Sequence, residues 1–266
     1  MDIAGYSASV FIGISLGLIG GGGSILTVPV LVYLFNLDAV LATAYSLFIV
    51  GSTSIVGSFS YFKKGLVSIK TAIVFGIPSI AAIFLTREYI LTAIPQDVFT
   101  VGSYTITKDI LLMLLFAALM IAASYSMIKK DNGGTNDEAL QKPSFDYLQI
   151  LLQGIFIGVI TGLIGAGGGF LIIPALVNLL KLPIKTAIGT SLLIISINSL
   201  MGFLFSLPHT SVQWGLLLVI ASIAIIGILI GSYLSTKIKA TKLKPAFGWF
   251  VLVMGIYIII KETITK

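Results

Sequence analysis

The stretch Gly17-Leu18-Ile19-Gly20-Gly21-Gly22-Gly23, with Pro29 beyond it, returns as Gly162-Leu163-Ile164-Gly165-Ala166-Gly167-Gly168-Gly169 with Pro174. A constant offset of 145 aligns the two copies without a gap. Across 13–57 and 158–202, 19 of 45 positions are identical, far above chance for unrelated segments. Two copies of a unit that opens on a broken apolar segment is the pattern of transporters assembled from internal repeats.

The solvent follows from composition. Hydrophobic residues make up 57% of the 266-residue chain and charged residues 10%, with a mean hydropathy of +1.10, whereas a soluble domain carries about a quarter charged residues. Apolar stretches long enough to cross ~30 Å of hydrocarbon cover most of the length. The chain therefore reads as a multi-pass, all-α membrane protein. Its net charge of +6 is read as topology, because Lys and Arg concentrate in cytoplasmic loops. Nucleic-acid binding would need a continuous basic surface, and the lysines are scattered between spans. Without cysteine there is no disulfide framework or thiolate metal site. The first residues lack the basic region of a cleaved signal, so the first apolar segment is expected to stay in the mature protein.

Hydropathy orders the spans. A broken segment at 3–35 is followed by spans at 39–62, 66–86 and 109–128. The polar run Lys129 to Asp146 joins the halves. A second broken segment covers 147–180, followed by spans at 183–206, 211–235 and 244–261. The expected domains are thus a membrane repeat at 1–128, a linker at 129–146 and a second repeat at 147–266. The segment 87–108, with Arg87, Glu88, Pro95 and Asp97, reads as a polar loop.

Charge sets the orientation. Lys63, Lys64 and Lys70 flank a first-half loop whose counterpart around Pro208 and His209 carries no formal charge. Conversely, Lys237, Lys239, Lys242 and Lys244 crowd a second-half loop whose counterpart sums to about zero. The swap predicts two inverted-topology repeats. Lys181, Lys185 and the four-lysine loop stay on the cytoplasmic side only if 147–180 enters the membrane, turns at its glycines and returns. The piece after the glycines, about 11 residues or ~16 Å of helix, spans half a bilayer. Each broken segment is accordingly read as a hairpin followed by three transmembrane helices, with both chain ends outside. Eight uninterrupted spans is the competing reading.

A non-helical turn in hydrocarbon leaves backbone groups that lipid cannot satisfy, so it must be buried in protein or line a polar cavity. Helices restarting at Ser24 and Phe170 would aim free N–H groups and positive dipole ends at the turns. Two such ends brought together can hold an anion without a charged side chain. The substrate-binding set expected on this ground is Gly20, Gly21, Gly22, Gly23, Ser24, Gly165, Gly167, Gly168 and Gly169, with Ser46, Ser191 and Asn198 on the following spans. The pairs Ser46/Ser191 and Ser54/Ser199 are the same residue in both halves, and hydroxyls or an amide can donate to an oxyanion. Interhelical hydrogen bonding is the plainer role for such groups. Gly13/Gly17, Gly158/Gly162 and Gly227/Gly231 have the spacing of helix-packing seams and are assigned to packing.

The remaining residues exclude other chemistry. All ten acidic residues fall at span ends or in loops, so no buried carboxylate offers a proton relay. His209 beside Pro208 reads as interfacial and structural. Pro29, Pro174 and Pro78 mark kinks or helix starts. No metal-ligand cluster, cofactor motif or catalytic pairing is present in the sequence, so an enzyme is not expected.

The doubled Gly-x-Gly-Gly-Gly/Ser-x-x-x-x-Pro motif, the Ala42 to Ser46 and Ala187 to Ser191 elements and Val212 to Trp214 together resemble the TauE/SafE family of membrane exporters over nearly the whole chain. The aromatic is absent from the first-half counterpart, Val67-Ser68-Ile69. The resemblance implies export of sulfite or an organosulfonate across a bacterial inner membrane. The residues themselves accept any small anion, so a channel-like permease for thiosulfate, sulfate or a halide is the alternative. The expected partners are the lipid bilayer and the anionic substrate, with no nucleic acid; a homodimer is left open.

Overall fold

The computed structural model describes residues 3–101, 104–128, 147–178, 180, 182–235 and 240–264. Its elements run α1 (Ile3–Ile19), a 3-10 stretch (Gly20–Leu26), α2 (Thr27–Leu34), α3 (Ala39–Lys63) and α4 (Ile69–Leu85). A π-helical turn (Thr86–Ile90) and α5 (Leu91–Ala93) extend α4, and β1 (Asp97–Val101), β2 (Tyr104–Thr107) and α6 (Lys108–Ile128) close the first half. The second half holds α7 (Tyr147–Ile164), α8 (Gly169–Asn178), α9 (Ile184–Ser206), α10 (Trp214–Ser235) and α11 (Ala240–Ile264). Among the described residues six helices, beginning at Ala39, Ile69, Lys108, Ile184, Trp214 and Pro245, are long and apolar enough to cross a bilayer. The chain is a multi-pass membrane protein. The expected linker at 129–146, and Lys181, Lys237 and Lys239, lie outside the described residues.

The first broken segment folds back on itself. The ring of Phe35, just past α2, packs edge-on to Tyr6 at 5.9 Å. A Cβ on Gly5 would lie 2.8 Å from the same ring. The start of α1 therefore meets the end of α2, and a single uninterrupted span is ruled out for this segment.

Helix contacts recur with the halves exchanged: α1 lies on α10 as α7 lies on α4, α3 on α10 as α9 on α4, while α3 meets α9 and α6 meets α11. Glycines make the two closest seams. A Cβ on Gly13 would sit 2.0 Å from the Ala224 carbonyl oxygen, and one on Gly17 would sit 2.5 Å from that of Ile228. The equivalent Gly158 would reach the Ser79 carbonyl oxygen at 2.4 Å, and Gly162 the Thr86 Cβ at 2.7 Å. Without side chains in the way, backbones approach closely enough for dispersion to hold helices together in lipid, where no hydrophobic force acts between them. The caps also repeat. Tyr45 Oη accepts from the Gln213 backbone N–H at 2.6 Å, and Thr190 Oγ1 accepts from that of Ser68 at 2.9 Å. Tyr45 with Thr190, and Ser68 with Gln213, are pairs at the same offset of 145.

Four expectations are corrected. Residues 87–93 are helical rather than loop, because Ile90, Leu91 and Ala93 carry the apolar pattern past Arg87 until Pro95 stops it; an antiparallel hairpin pairing Phe99 with Ile106 follows. Arg87 is in consequence buried inside a span, 2% exposed. In the first copy the regular helix restarts at Thr27 rather than at Ser24, because the four glycines and the residues after them wind into a 3-10 stretch. The second copy restarts at Gly169, one residue before the expected Phe170. Lys242 and Lys244 belong to α11 rather than to a loop.

Substituting Gly158 by Val should lower the thermal unfolding midpoint in detergent, by the equivalent of about 2 kcal/mol or more, since the carbonyl it meets cannot move aside. Gly76, with nothing within 4 Å of its Cβ position, is the control: Gly76→Ala should raise the midpoint slightly, by up to about 1 kcal/mol.

Candidate anion site

The second glycine turn wedges between the middles of α3 and α9. On α3, Ser46, Val50 and Ser54 lie four residues apart and share one helix face; Ser191, Ile195 and Ser199 do the same on α9. A Cβ on Gly167 would lie 2.7 Å from Val50 Cγ1, 3.0 Å from Ser199 Oγ and 3.1 Å from Ile195 Cγ2. One on Gly168 would lie 2.5 Å from Thr161 Oγ1, and one on Gly165 would lie 2.4 Å from the Thr43 carbonyl oxygen. Gly165, Gly167 and Gly168 have φ of +73°, +67° and +68°, a region closed to most side chains. Glycine is thus required here twice, by backbone angle and by space. In the first copy Gly20 shares the φ of +73° and abuts Ile188, the residue equivalent to Thr43, with Ile173 of α8 beside it.

Around these turns the protein buries hydroxyls that it does not satisfy. Thr27 Oγ1, Ser46 Oγ, Ser54 Oγ, Thr161 Oγ1 and Ser199 Oγ are sealed from solvent and meet no hydrogen-bond partner among the described residues. A buried polar group left unmade costs about 1–3 kcal/mol, so each of these marks a place where a polar guest can gain. Ser199 and Thr161 are the most telling, because they stand against Gly167 and Gly168, two of the positive-φ glycines of the turn. The donors that an oxyanion needs are present there, on rigid helices and without a carboxylate.

Not every expected residue joins this set. Ser191 donates to the Ile188 carbonyl at 2.8 Å within its own helix. Asn198 lies one position off the α9 stripe, and its Nδ2 donates to Ser79 Oγ of α4 at 2.7 Å, leaving only its Oδ1 unpartnered. Its geometry is that of an interhelical tie. Ser24 is fully buried in the 3-10 stretch, and Gly23 packs on the backbone of Ser15 and Leu16. Gly21 and Gly22 continue the same stretch, and Gly169 opens α8. Thr161 was not foreseen: its counterpart is Leu16, so comparing the two copies could not single it out. Thr27 likewise pairs with Ile172.

Outside the turns, His209 Nε2 lies 3.1 Å from Glu88 Oε2, an exposed pair that ties the end of α9 to the π-turn. Trp214 stacks edge-on with Phe48 at 6.4 Å and Phe203 at 6.0 Å. The second half, where the first has Ile69, thus carries an aromatic cluster at one end of the α3–α9 pair. Among the described residues no group of three acidic or histidine side chains could hold a metal.

Six bilayer-length helices among the described residues, packed along glycine seams, are the build of a polytopic membrane transporter. The chain belongs to the sulfite exporter TauE/SafE family, whose model matches residues 6–258. A probable membrane transporter protein of Xylella fastidiosa strain 9a5c is 29% identical over 251 residues, covering 93% of this chain and 91% of the relative. YunE of Bacillus subtilis, described as a probable membrane transporter protein, is 26% identical over 255 residues, with 91% of each chain covered. A probable membrane transporter protein of Methanocaldococcus jannaschii is 26% identical over 270 residues, covering 94% of this chain and 92% of the relative. No solved structure matches.

Ser199→Ala tests the site. Because the hydroxyl has no protein partner, the unfolding midpoint should change by no more than about 1 kcal/mol equivalent, while transport in proteoliposomes falls. A variant that is destabilised and still transports at the wild-type rate would assign Ser199 to packing.

Proposed function

We propose that this protein exports a small sulfur oxyanion, sulfite or an organosulfonate, from the cytoplasm, using the two glycine turns and the α3–α9 serine stripes as the substrate site. The observation that carries the reading is the pair of unpartnered, sealed hydroxyls of Ser199 and Thr161 against Gly167 and Gly168. An oxyanion accepts from hydroxyls and from the backbone N–H groups of a helix start, and α8 starts at Gly169. Membership of the sulfite exporter family supports the choice of sulfur among oxyanions.

The mechanism proposed is alternating access by two repeats of opposite orientation. The exchanged helix contacts and the swapped lysine loops support that arrangement. The described conformation buries the hydroxyls, so it corresponds to an occluded state. Opening toward either side requires the hairpin that carries Gly165 to Gly169 to part from the α3 face bearing Thr43 and Val50. An inside-negative potential alone favours anion exit by ~2.3 kcal/mol per charge per 100 mV.

Sulfite flux in proteoliposomes is the test. A transporter of this kind should give saturable flux that rises with an outwardly favourable potential and is lost in Gly167→Leu, whose side chain would fill the site. No sulfite flux above protein-free vesicles would overturn the substrate; flux that never saturates would overturn alternating access.

A further inference from the structure

Among the described residues Arg87 is the largest fully buried side chain. Its Nε, Nη1 and Nη2 are all sealed from solvent and meet no hydrogen-bond partner among the described residues. Five N–H donors and a positive charge are thus held inside a membrane span with no acceptor among the described residues. Such a charge costs several kcal/mol unless it is paired. Arginines near helix ends commonly escape by reaching to the interface, but this guanidinium is enclosed. The nearest carboxylate in sequence, Glu88, is partly exposed and faces His209.

The location is as informative as the charge. Arg87 sits in the π-helical turn Thr86–Ile90, an interruption that in helices often marks a functional site. Its neighbour Thr86 packs on Gly162 of α7, three residues before the turn glycine Gly165, and Ile83, one turn earlier, packs on Gly202 of α9. The π-turn touches both α7 and α9, the helices that carry Thr161 and Ser199. The equivalent residue in the other half is Ser232, so the charge exists on one side only, at the end of α4 opposite Lys63, Lys64 and Lys70.

We propose that Arg87 is a substrate-binding residue, the fixed positive charge that takes the oxyanion as it passes between the 165–169 turn and the side of the membrane away from those lysines. The proposal rests on the transport reading above and adds to it a specificity element. A planar guanidinium presents parallel donors that match two oxygens of a pyramidal or tetrahedral oxyanion. A halide can occupy only one point of that fork. Arg87 therefore favours oxyanions over chloride and makes the two ends of the pathway unequal.

Purified full-length protein in detergent, with sulfite, sulfate or chloride at matched ionic strength, provides the test through the shift in unfolding midpoint. Arg87→Gln removes an unpaired buried charge, so without anion it should unfold at or above the wild-type temperature. Wild type should be stabilised by sulfite more than by chloride. Arg87→Gln should lose that shift, with apparent affinity down about tenfold or more, and Arg87→Lys should retain charge but lose the oxyanion preference. An equal anion-dependent shift in wild type and Arg87→Gln overturns the assignment, as does the absence of any anion-dependent shift in wild type. Should Arg87→Gln not fold, an undiminished oxyanion preference in Arg87→Lys overturns it instead. A wild-type shift with sulfate but not sulfite, lost in Arg87→Gln, would keep Arg87 and discard the sulfite reading.

Discussion

The constraint on which the rest of this structure depends is the interruption of an apolar helix by glycine. A chain that abandons helical hydrogen bonding in hydrocarbon must give its freed N–H and C=O groups to protein, and must bring protein near enough to take them. Glycine meets both demands. At Gly165, Gly167 and Gly168 it supplies the positive φ of the turn, and it leaves space for Thr43, Val50, Thr161 and Ser199 to close in. At Gly13, Gly17 and Gly158 it lets α1 and α7 lie against the backbone of a long helix of the other half, and at Gly162 it makes room for the Thr86 side chain. The same residue type therefore forms the turn and anchors the hairpin that presents it.

The exchanged contacts have a functional corollary. Each hairpin is held by a helix of the opposite half, α1 by α10 and α7 by α4. Under the proposed alternating access, each turn would move with the scaffold of the other half, because its entering helix packs on that half. The α3–α9 pair carries three of the unpartnered hydroxyls, those of Ser46, Ser54 and Ser199. The two copies have diverged at their turns: the first turn is a 3-10 stretch packed on the Leu16 backbone, and the second is a buried positive-φ turn against the Thr161 hydroxyl. Arg87 and the Phe48–Phe203–Trp214 cluster add to the inequality.

Legibility varied with how local the cause was. The spans were readable because twenty apolar residues have few other fates, and α3, α6, α9 and α10 begin and end within a few residues of the hydropathy limits. The packing glycines were readable from their spacing, since four residues return to one helix face. The segment after Leu85 was misjudged because Arg87 and Glu88 look like loop residues, while the apolar positions around them keep the helix going to Ala93. Asn198 drew attention as a buried amide, yet it is Ser79 on another helix that claims it. Ser199 was visible as a residue common to both copies, and Thr161 was not.

The sequence by itself determined the membrane environment, the duplication and the two breaks, because these depend on composition, period and residue type along one segment. The tertiary structure alone decided which hydroxyls are left without partners, that the first hairpin returns to its own beginning, and that a loop-like arginine lies sealed within a span. Those are relations between residues more than a hundred positions apart or between faces of different helices, and no local pattern encodes which face a neighbour will take. The glycine breaks could be seen in the chain; what stands against them could be seen only once it was folded.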